Sequence, residues 1–365
     1  MRVLIDARPL QELQLTGVGR YTYDLLNELA STDHKYSITL LIVGRKKPSV
    51  YVRDIASKLS ADILRLSWPS KLLTFCWSLN LPPYFRQGFS DFDLLYILNL
   101  NYFPLKYLPK KILLTIHDLS FIHQPKYFSL KSRLWHKGLQ LKRLLAKSTA
   151  IIAVSNSTKN ELLNYFPVQT KDKITAIQSG VQNNDKQPEQ KYFDFSLPDN
   201  YLLTLGTLEE RKNIVLTIQA FNLLSARYPD LYLLIAGKKG RLDRTTMHLI
   251  EDNKRCIWLK YVSAEQKNQL YSNARIFIWP SHYEGFGFPP LEAEQAGRPI
   301  ICSYKTSLPE IMEQRAVYCH SYNSAELAEI ISQLLKSKPQ IAKAASKIFS
   351  WSQTAAEVNQ LLINL

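Results

Sequence analysis

The sequence predicts an α/β fold with two doubly wound domains, each a parallel sheet covered by helices. Short β-branched runs alternate with helical segments along the whole chain, which is the pattern of parallel sheets. The length of 365 residues exceeds that of one ordinary core and suits two domains. A polar stretch at residues 183–191 interrupts the alternation and predicts the linker between them.

The first predicted domain spans residues 1–182. Its helices include Tyr21–Leu29, Leu130–Leu145 and a segment from Ser155 that opens with a serine-rich cap. Its predicted strands are Val3–Ile5, Ile38–Val43, Ile63–Leu66, Leu94–Ile97, Ile112–Ile116 and Ala150–Val154.

The second predicted domain spans residues 192–350. Its predicted strands are Tyr201–Leu205, Tyr232–Ala236, Ile257–Leu259, Ile276–Trp279, Pro299–Cys302 and Ala316–Tyr318. Its predicted helices include Ile214–Arg227, Ala264–Ser272, Pro290–Ala296 and Ser324–Lys336. Two such domains placed face to face leave a cleft at the carboxyl ends of their strands, where ligands bind sheets of this kind. The polar motifs described below all follow a predicted strand, so we expect one interdomain site.

The composition is that of a globular protein with an excess of basic residues. There are 46 Lys and Arg against 31 Asp and Glu, a formal net charge of +15. This charge favours anionic partners: a nucleotide diphosphate, an anionic membrane surface, or nucleic acid. Nucleic acid ranks below the other two because no recognised binding module accompanies the charge.

The four cysteines are scattered and form no CxxC pair, which excludes a zinc or disulfide scaffold and fits a reducing, cytoplasmic compartment. The N-terminus has the pattern of a strand and not of a signal peptide. No uninterrupted apolar run approaches the roughly 20 residues that span a bilayer. The stretch Lys71–Phe85 is apolar with few charges, which fits either a membrane interface or a helix packed on the core.

The segment Tyr283–Glu292 is the most informative in the chain. Gly285 and Gly287 flank Phe286 and allow close approach of a ligand to the backbone, and the two prolines that follow suit the first turn of a helix. Amides at such a helix start attract phosphate. Because carboxylates repel a diphosphate, Glu284 and Glu292 are predicted to face hydroxyls of a ribose or a transferred sugar. The segment therefore predicts a nucleotide-sugar site.

A basic pair follows the first strand of the second domain. Arg211 and Lys212 come shortly after Gly206, and they are predicted to neutralise the charge that grows on a departing diphosphate. We expect Lys212→Ala to lower turnover far more than stability. Gly237 ends the next strand, which indicates either a simple turn or a contact beside the nucleotide base.

Two further motifs follow strands of the first domain. Gly17 and Gly19 precede a predicted helix, so their amides either meet a phosphate or sugar oxygen or only form a tight turn. His117 and Asp118 follow the strand Ile112–Ile116, a position that suits a structural role or a ligand contact.

The motifs together resemble the retaining glycosyltransferases of family four, which have the GT-B fold: two Rossmann-like domains facing across a cleft. The resemblance rests on the glutamate–seven residues–glutamate pattern, the Gly-x-x-x-x-Arg-Lys-Asn loop, the His-Asp pair and the glycine loop. One departure is Thr207, where many relatives carry arginine, so Arg211 is expected to do more of the phosphate work.

The resemblance implies a hexosyltransferase that acts in polysaccharide biosynthesis. The second domain would hold the nucleotide-sugar donor, with Glu292 on the ribose and Glu284 near the sugar. His117 would position the sugar, and Asp118 would orient its imidazole or bind the acceptor. The final helix, residues 351–365, would pack back on the first, acceptor-side domain.

The resemblance also implies the partners, which are a mannose donor as the sugar source and a growing, lipid-linked glycan as the acceptor. The expected location is the cytoplasm or the inner face of the membrane. No cofactor is expected, and no metal, because no His, Cys or Asp cluster has ligand spacing and Asp91–Asp93 has the pattern of the polar start of a strand.

Two mechanisms remain open, double displacement and same-face attack assisted by the leaving phosphate. The alternatives are a non-catalytic nucleotide-sugar-binding protein, a sugar-phosphate synthase or phosphorylase of the same fold, and a basic nucleic-acid-binding protein.

Overall fold

The computed structural model of the chain describes residues 1–79, 81, 89, 91–182, 192–241, 244–337 and 349–365. The predicted linker at residues 183–191 and part of the apolar stretch Lys71–Phe85 lie outside the described residues. The chain divides into two compact units. The first comprises Met1–His123, Ser129–Gly180 and Phe349–Leu365, and the second comprises Gln124–Phe128 and Val181–Ile348.

The first unit is built on a parallel sheet of seven strands in the order β3-β2-β1-β4-β5-β6-β7. The order reverses between β1 and β4, because β2 and β3 lie on one side of β1 while β4 and the later strands lie on the other. The loops that follow β1 and β4 therefore diverge at the carboxyl ends of these neighbouring strands. The strands are β1 (Arg2–Asp6), β2 (Ser37–Val43), β3 (Asp62–Leu66), β4 (Leu94–Ile97), β5 (Lys111–Ile116), β6 (Ala150–Ala153) and β7 (Ile174–Ala176).

Helices connect these strands, as parallel pairing requires. They are α1 (Gly17–Leu29), α2 (Val50–Lys58), α3 (Ser70–Ser78), α4 (Ser120–His123), α5 (Leu130–Gly138), α6 (Leu141–Lys147), α7 (Asn156–Tyr165) and α8 (Pro167–Thr170). Short 3₁₀ turns occupy Arg8–Gln11 and Leu105–Tyr107, and a third, at Pro125–Tyr127, lies in the segment that belongs to the second unit.

The second unit has a parallel sheet of six strands in the order β10-β9-β8-β11-β12-β13, which reverses between β8 and β11. The strands are β8 (Tyr201–Leu205), β9 (Tyr232–Ala236), β10 (Cys256–Lys260), β11 (Ile276–Trp279), β12 (Ile300–Ser303) and β13 (Val317–Cys319). The helices are α9 (Ile214–Leu224), α10 (Arg244–Glu251), α11 (Ala264–Asn273), α12 (Phe288–Gln295), α13 (Leu308–Met312) and α14 (Ser324–Lys336), with a 3₁₀ turn at Glu210–Lys212.

The central strands are apolar on both faces because helices cover the sheets. All four residues of β4 and all four of β11 are buried. Each fully buried Leu, Ile or Phe contributes roughly 1.5–3 kcal/mol relative to an exposed side chain. This continuous apolarity, without alternation, is the sequence signature of a parallel sheet, and it confirms the predicted α/β architecture with two doubly wound domains.

The last helix of the chain, α15 (Trp351–Asn364), belongs to the first unit. Its buried Val358 and Leu362 lie at helical spacing on one face. Asn359 accepts a hydrogen bond of 2.8 Å from the Tyr36 hydroxyl and donates to the carbonyl of Asp33. The Trp351 ring meets the edge of Tyr21 on α1 at 5.5 Å. The helix is therefore fastened to the first unit by apolar packing and by a buried hydrogen bond.

The structure differs from the predicted elements at two helices and at one strand. The single helix Leu130–Leu145 is two helices, because Gln140 takes a left-handed conformation with φ 51° between α5 and α6. The short edge strand β7 was not predicted, since three residues carry too little periodicity. The helix after the glutamate loop begins at Phe288, with Gly287 as its N-cap, two residues before the predicted start.

Candidate active site

The carboxyl ends of β8 and β11 bring charged residues together at the point where the second sheet reverses its strand order. The loop after β8 carries Arg211 and Lys212, and the loop after β11 carries Glu284. The Lys212 ammonium lies 2.6 Å from Oε1 of Glu284, and the Arg211 guanidinium lies 3.5 Å from Oε2. Three of the four residues predicted to be catalytic are thus in contact, although the basic pair and the glutamate are 72 residues apart in the chain.

Both members of the Lys212–Glu284 pair are buried. Burial works against the charge of the Glu284 carboxyl, but Lys212 and Arg211 outweigh it and hold the pKa of this group below its usual value. Burial and the neighbouring Arg211 lower the pKa of the Lys212 ammonium, while Glu284 acts in the opposite direction. Glu284 is therefore an ionised, firmly held carboxylate.

Trp279, the last residue of β11, also contacts this pair. Its indole N–H donates a hydrogen bond of 3.0 Å to Oε1 of Glu284, and the Lys212 ammonium lies 4.6 Å from the centre of its ring. One side chain therefore contacts both partners of the ion pair. We refer to Arg211, Lys212, Trp279 and Glu284 as the charged cluster.

Asn213 fixes the loop after β8 against the loops after two other strands. Its backbone is left-handed at φ 55°, a conformation that asparagine tolerates better than other residues with a Cβ. Its side-chain amide donates to the carbonyls of Pro280, at 3.1 Å, and Ser321, at 2.7 Å. These bonds join the loops after β8, β11 and β13, and so set the distance between the basic pair and Glu284.

The glutamate loop is held by the loop after β12. The amide of Glu284 donates to the Thr306 hydroxyl at 2.9 Å, and the Ser307 hydroxyl donates to the carbonyls of Glu284 and Phe286 at 3.0 and 2.8 Å. Gly287 has φ +110°, which only glycine adopts without strain, and it leads into α12. Phe286 is buried. Gly285, Phe286 and Gly287 thus lie in a backbone segment that side-chain hydroxyls hold in place.

Gly206 and Gly237 lie side by side at the ends of β8 and β9. A Cβ on Gly237 would lie 1.9 Å from the carbonyl oxygen of Gly206, and a Cβ on Gly206 would lie 2.6 Å from the Trp279 ring. Both positions therefore require glycine for close packing beneath the charged cluster.

Glu292 lies apart from this cluster in its hydrogen bonding. Its carboxylate pairs with the Lys267 ammonium of α11 at 2.5 Å and accepts a hydrogen bond of 3.0 Å from the Tyr271 hydroxyl. It lies within α12, one helical turn or more after the loop that carries Glu284. The two glutamates of the motif thus have separate basic partners.

His117 and Asp118 follow β5 of the first unit. Nε2 of His117 lies 2.8 Å from the carbonyl oxygen of Leu98, and its ring meets the edge of Tyr21 with centroids 4.6 Å apart. Burial lowers the pKa of His117, although the Leu98 carbonyl and Asp118 act in the opposite direction. The Asp118 carboxylate accepts hydrogen bonds from the amide and hydroxyl of Ser120, so its structural contacts are with α4.

Gly17 and Gly19 lie within the first turn of α1 and not in a loop before it. The Gly19 amide donates to the Thr16 hydroxyl at 3.3 Å, which is an ordinary N-cap bond, and a Cβ there would lie 3.0 Å from the Pro9 carbonyl. A Cβ on Gly17 would meet nothing within 4 Å. The Gly19 amide therefore already has a hydrogen-bond acceptor within the protein, and this bond competes with the expected contact to a ligand.

Sequence reasoning missed Trp279, Lys267 and Tyr271 as parts of the site, and it included Asn213 only as the last residue of the basic loop. An aromatic residue that ends a strand has no distinctive spacing. Trp279 meets the basic pair because β8 and β11 are neighbours in the sheet, and Lys267 and Tyr271 meet Glu292 because α11 lies beside α12.

No group of three or more His, Cys, Asp or Glu within the described residues is arranged to hold a metal ion. In the Asp91–Asp93 triplet, Asp93 accepts a hydrogen bond of 2.7 Å from the amide of Arg2, at the start of β1.

Among the helices in the described part of the chain, none is long and apolar enough to cross a bilayer.

Comparison with known proteins assigns both halves of the chain. The profile of Glycosyltransferase Family 4 matches residues 15–184, and the profile of Glycosyl transferases group 1 matches residues 185–349. The O-antigen chain mannosyltransferase B of Escherichia coli is 28% identical over 385 residues, with 98% of each chain covered. This chain is a family-four glycosyltransferase with the GT-B fold.

Further relatives agree with this assignment. The serotype-specific mannosyltransferase WbdA of Escherichia coli is 25% identical and matches 97% of this enzyme, which spans only 47% of that longer protein. Among solved structures, HepE of Anabaena in complex with UDP and glucose has a TM-score of 0.69 at 16% identity, with both chains covered completely. Sucrose-phosphate synthase from Thermosynechococcus elongatus has a TM-score of 0.71 at 18% identity, covering 100% of this enzyme and 98% of that chain. The predicted fold and the prediction of a glycosyltransferase are confirmed.

Proposed function

We propose that the enzyme transfers mannose, with retention of anomeric configuration, from a nucleotide diphosphate sugar to a hydroxyl of a growing polysaccharide. The observation that carries the proposal is the charged cluster at the carboxyl ends of β8 and β11. Ligands of doubly wound sheets bind at this position, where the strand order reverses. The choice of mannose is supported by relatives that are named mannosyltransferases, one of them matching along its whole length.

Arg211 and Lys212 would stabilise the diphosphate as it leaves. Charge that develops on the phosphate oxygens is best met by cations already fixed in place, because they need no reorganisation during the reaction. Arg211 is the more accessible of the two, with 20% of its side chain exposed against 10% for Lys212. Its guanidinium suits forked contact with phosphate oxygens, so Arg211 would take the greater part in phosphate binding.

Glu284 would hold Lys212 in position and accept hydrogen bonds from hydroxyls of the donor sugar. Two cations and an indole N–H already engage its carboxylate. A carboxylate stabilised in this way is a poor nucleophile, since its pKa is lowered. This favours same-face attack assisted by the leaving phosphate over double displacement through Glu284.

The remaining residues would bind the two substrates. Glu292, oriented by Lys267 and Tyr271, would accept hydrogen bonds from the ribose hydroxyls, and Gly206, Gly237 and Gly285–Gly287 would allow the donor close to the backbone. In the first unit, His117 would position the sugar as a neutral imidazole, with Asp118, Gly17 and Gly19 on the acceptor side.

The enzyme would need no metal ion, because Arg211 and Lys212 can supply the positive charge for the leaving group. Its acceptor would be a lipid-linked glycan, with the enzyme held at an anionic membrane surface on the cytoplasmic side. The net charge of +15 supports this location, as do the six exposed cations between Lys131 and Lys147, a stretch that contains no Asp or Glu.

The test is an assay of donor consumption by the purified enzyme with GDP-, UDP- and ADP-linked mannose and glucose and with mannose-terminated oligosaccharides. We expect release of nucleoside diphosphate that depends on both donor and acceptor and that EDTA does not change. Proton NMR of the product should show the anomeric configuration of the donor. Binding of the donor without turnover would instead support a non-catalytic sugar-nucleotide-binding protein, and an inverted product would contradict retention.

A further inference from the structure

The loops at the carboxyl ends of β11 and β13 meet in a stack of aromatic rings. His282 follows β11 and stacks on Tyr322, which follows β13, with ring centroids 5.0 Å apart. The ring of Tyr127 also stacks on His282, with centroids 5.9 Å apart and planes inclined by only 5°. Tyr127 belongs to the segment Gln124–Phe128, which is part of the second unit. We call these three rings the aromatic stack.

The aromatic stack is joined to the charged cluster through the backbone. The amide of His282, two residues before Glu284, donates a hydrogen bond of 2.8 Å to the carbonyl of Arg211. The carbonyl of Ser321, which precedes the last ring of the stack, accepts a hydrogen bond of 2.7 Å from Asn213, the residue after the basic pair. The stack is therefore fixed beside the residues that would hold the departing diphosphate.

Tyr322 is the member of the stack that faces solvent. It is 77% exposed, whereas His282 and Tyr127 are partly buried. One exposed apolar residue is common on protein surfaces and carries no argument by itself. Tyr322 differs because its ring rests on a second ring that belongs to the glutamate loop. Burial lowers the pKa of His282, so this supporting ring is neutral at pH 7.

Given the proposed transfer to a polysaccharide, we propose that Tyr322 binds the acceptor chain by stacking on one of its sugar rings, behind the sugar that reacts. One face of a pyranose is lined by C–H groups, which pack on an aromatic ring while the hydroxyls stay in water. Tyrosine suits this contact because its ring is apolar and its hydroxyl is polar. The charged cluster marks where the sugar is transferred, so the rest of the acceptor chain must leave over the neighbouring surface.

The nucleotide of the donor is a poorer occupant of this ring. The ribose is proposed to meet Glu292, whose partner Lys267 lies in the first turn of α11, shortly after β10. β10 and β13 form opposite edges of the second sheet. The donor would therefore extend from the charged cluster away from Tyr322, which leaves this ring to the acceptor.

Acceptors of different length test the contact in the full chain. We expect the KM of the parent for mannotetraose to be at least about fivefold below that for mannobiose, because only the longer chain reaches Tyr322. Tyr322→Ala should reduce this ratio to less than about twofold. Tyr322→Phe retains the ring and should retain the ratio. The matched control is Leu223→Ala, which removes an exposed apolar side chain near the end of α9 and should also retain it.

Binding without donor gives a second measurement. In saturation-transfer-difference NMR of mannotetraose with the parent, the strongest signals should come from C–H protons on one face of a sugar ring. Tyr322→Ala should lose most of this signal, and Tyr322→Phe should keep it. This measurement does not depend on turnover.

Three results would overturn the acceptor contact. One is an equal KM of the parent for both oligosaccharides, and another is a loss in Tyr322→Phe as large as that in Tyr322→Ala, which would assign the contact to the hydroxyl. The third is weaker binding of nucleoside diphosphate by Tyr322→Ala with unchanged binding of mannotetraose, which would place the nucleotide at this ring. Stacking seen by NMR without any transfer would instead contradict the proposed transferase and support the contact.

Discussion

The carboxyl ends of the two parallel sheets carry different chemistry. At the end of the second sheet, two cations and a carboxylate are held together, and an indole contacts two of them. At the end of the first sheet, His117 rests against a backbone carbonyl and a tyrosine ring, and burial favours its neutral form. The carboxyl edges of two similar sheets are thus equipped to stabilise developing charge in one case and to position a neutral group in the other.

Removal of Lys212 should have the largest effect, because it leaves Glu284 buried without its closest cation. We expect Lys212→Ala to lower turnover about 10²–10³-fold and the free energy of unfolding by about 3–5 kcal/mol. Urea denaturation and donor consumption measure the two effects. From the sequence alone we expected turnover to fall far more than stability, whereas the buried ion pair predicts a substantial loss of both.

The double variant Lys212→Ala with Glu284→Ala separates the two roles. It should recover much of the lost stability, since no uncompensated charge remains, but turnover should stay low. A single Lys212→Ala variant as stable as the parent would show that the pair is not a buried ion pair.

Substitution at the end of the first sheet should affect activity less. We expect His117→Ala to lower turnover about 10–10²-fold, and His117→Asn to retain more because its amide still donates a hydrogen bond. Since burial lowers the pKa of His117 below its ordinary 6.5, the neutral imidazole should predominate at pH 6.5, and any loss of turnover that its protonation causes should have its midpoint below that pH. Turnover that rises as the pH falls below 6.5 would instead indicate that the protonated imidazole of His117 is the active form.

Trp279→Phe should have a moderate effect on the charged cluster. The phenylalanine ring remains close to the Lys212 ammonium, but the hydrogen bond of 3.0 Å to Glu284 is lost. We expect turnover to fall about tenfold, consistent with one charge-assisted hydrogen bond of roughly 1.5 kcal/mol. A change in KM alone, with kcat unaltered, would contradict a role in holding the cluster.

His282, at the carboxyl end of the second sheet, should make the stability of the protein depend on pH. His282, two residues before Glu284, stacks between Tyr127 and Tyr322. Burial, and then the nearby Lys126 and Lys305, lower its pKa from 6.5 to about 4. Between pH 6.5 and 4 the unfolded chain therefore binds a proton that the folded chain does not, so the fold loses stability as the pH falls through this range.

His282→Gln should remove this part of the pH dependence. Because the ring is partly exposed, we expect the difference to be on the order of 1 kcal/mol between pH 7 and pH 4.5. Urea denaturation of both proteins at the two pH values measures it. An identical pH dependence in the variant would assign the effect to other groups.

The sequence was sufficient for the strands other than β7 and for the polar loops that follow them. Strands such as β4 and β11 are apolar throughout, and that pattern alone distinguishes a parallel sheet. It was not sufficient for contacts across the sheet. Lys212 and Glu284 meet only because β8 and β11 are neighbours, and strand order is not written in local periodicity.

The same limit explains the misplaced elements. Gln140 breaks a helix because its side chain finds an acceptor on Ser78, 62 residues earlier, and glutamine by itself does not signal a break. Lys267 acts on Glu292 across two helices that only tertiary packing brings together. Sequence spacing therefore identified the charged residues but not the partners that position them.

The paired glycines at the ends of β8 and β9 limit how this enzyme can be re-engineered. With the carbonyl of Gly206 only 1.9 Å from where a side chain of residue 237 would begin, even alanine must displace main chain. Libraries that randomise these two positions to change the donor preference should yield mostly misfolded variants. The surrounding loops are therefore the better positions to vary.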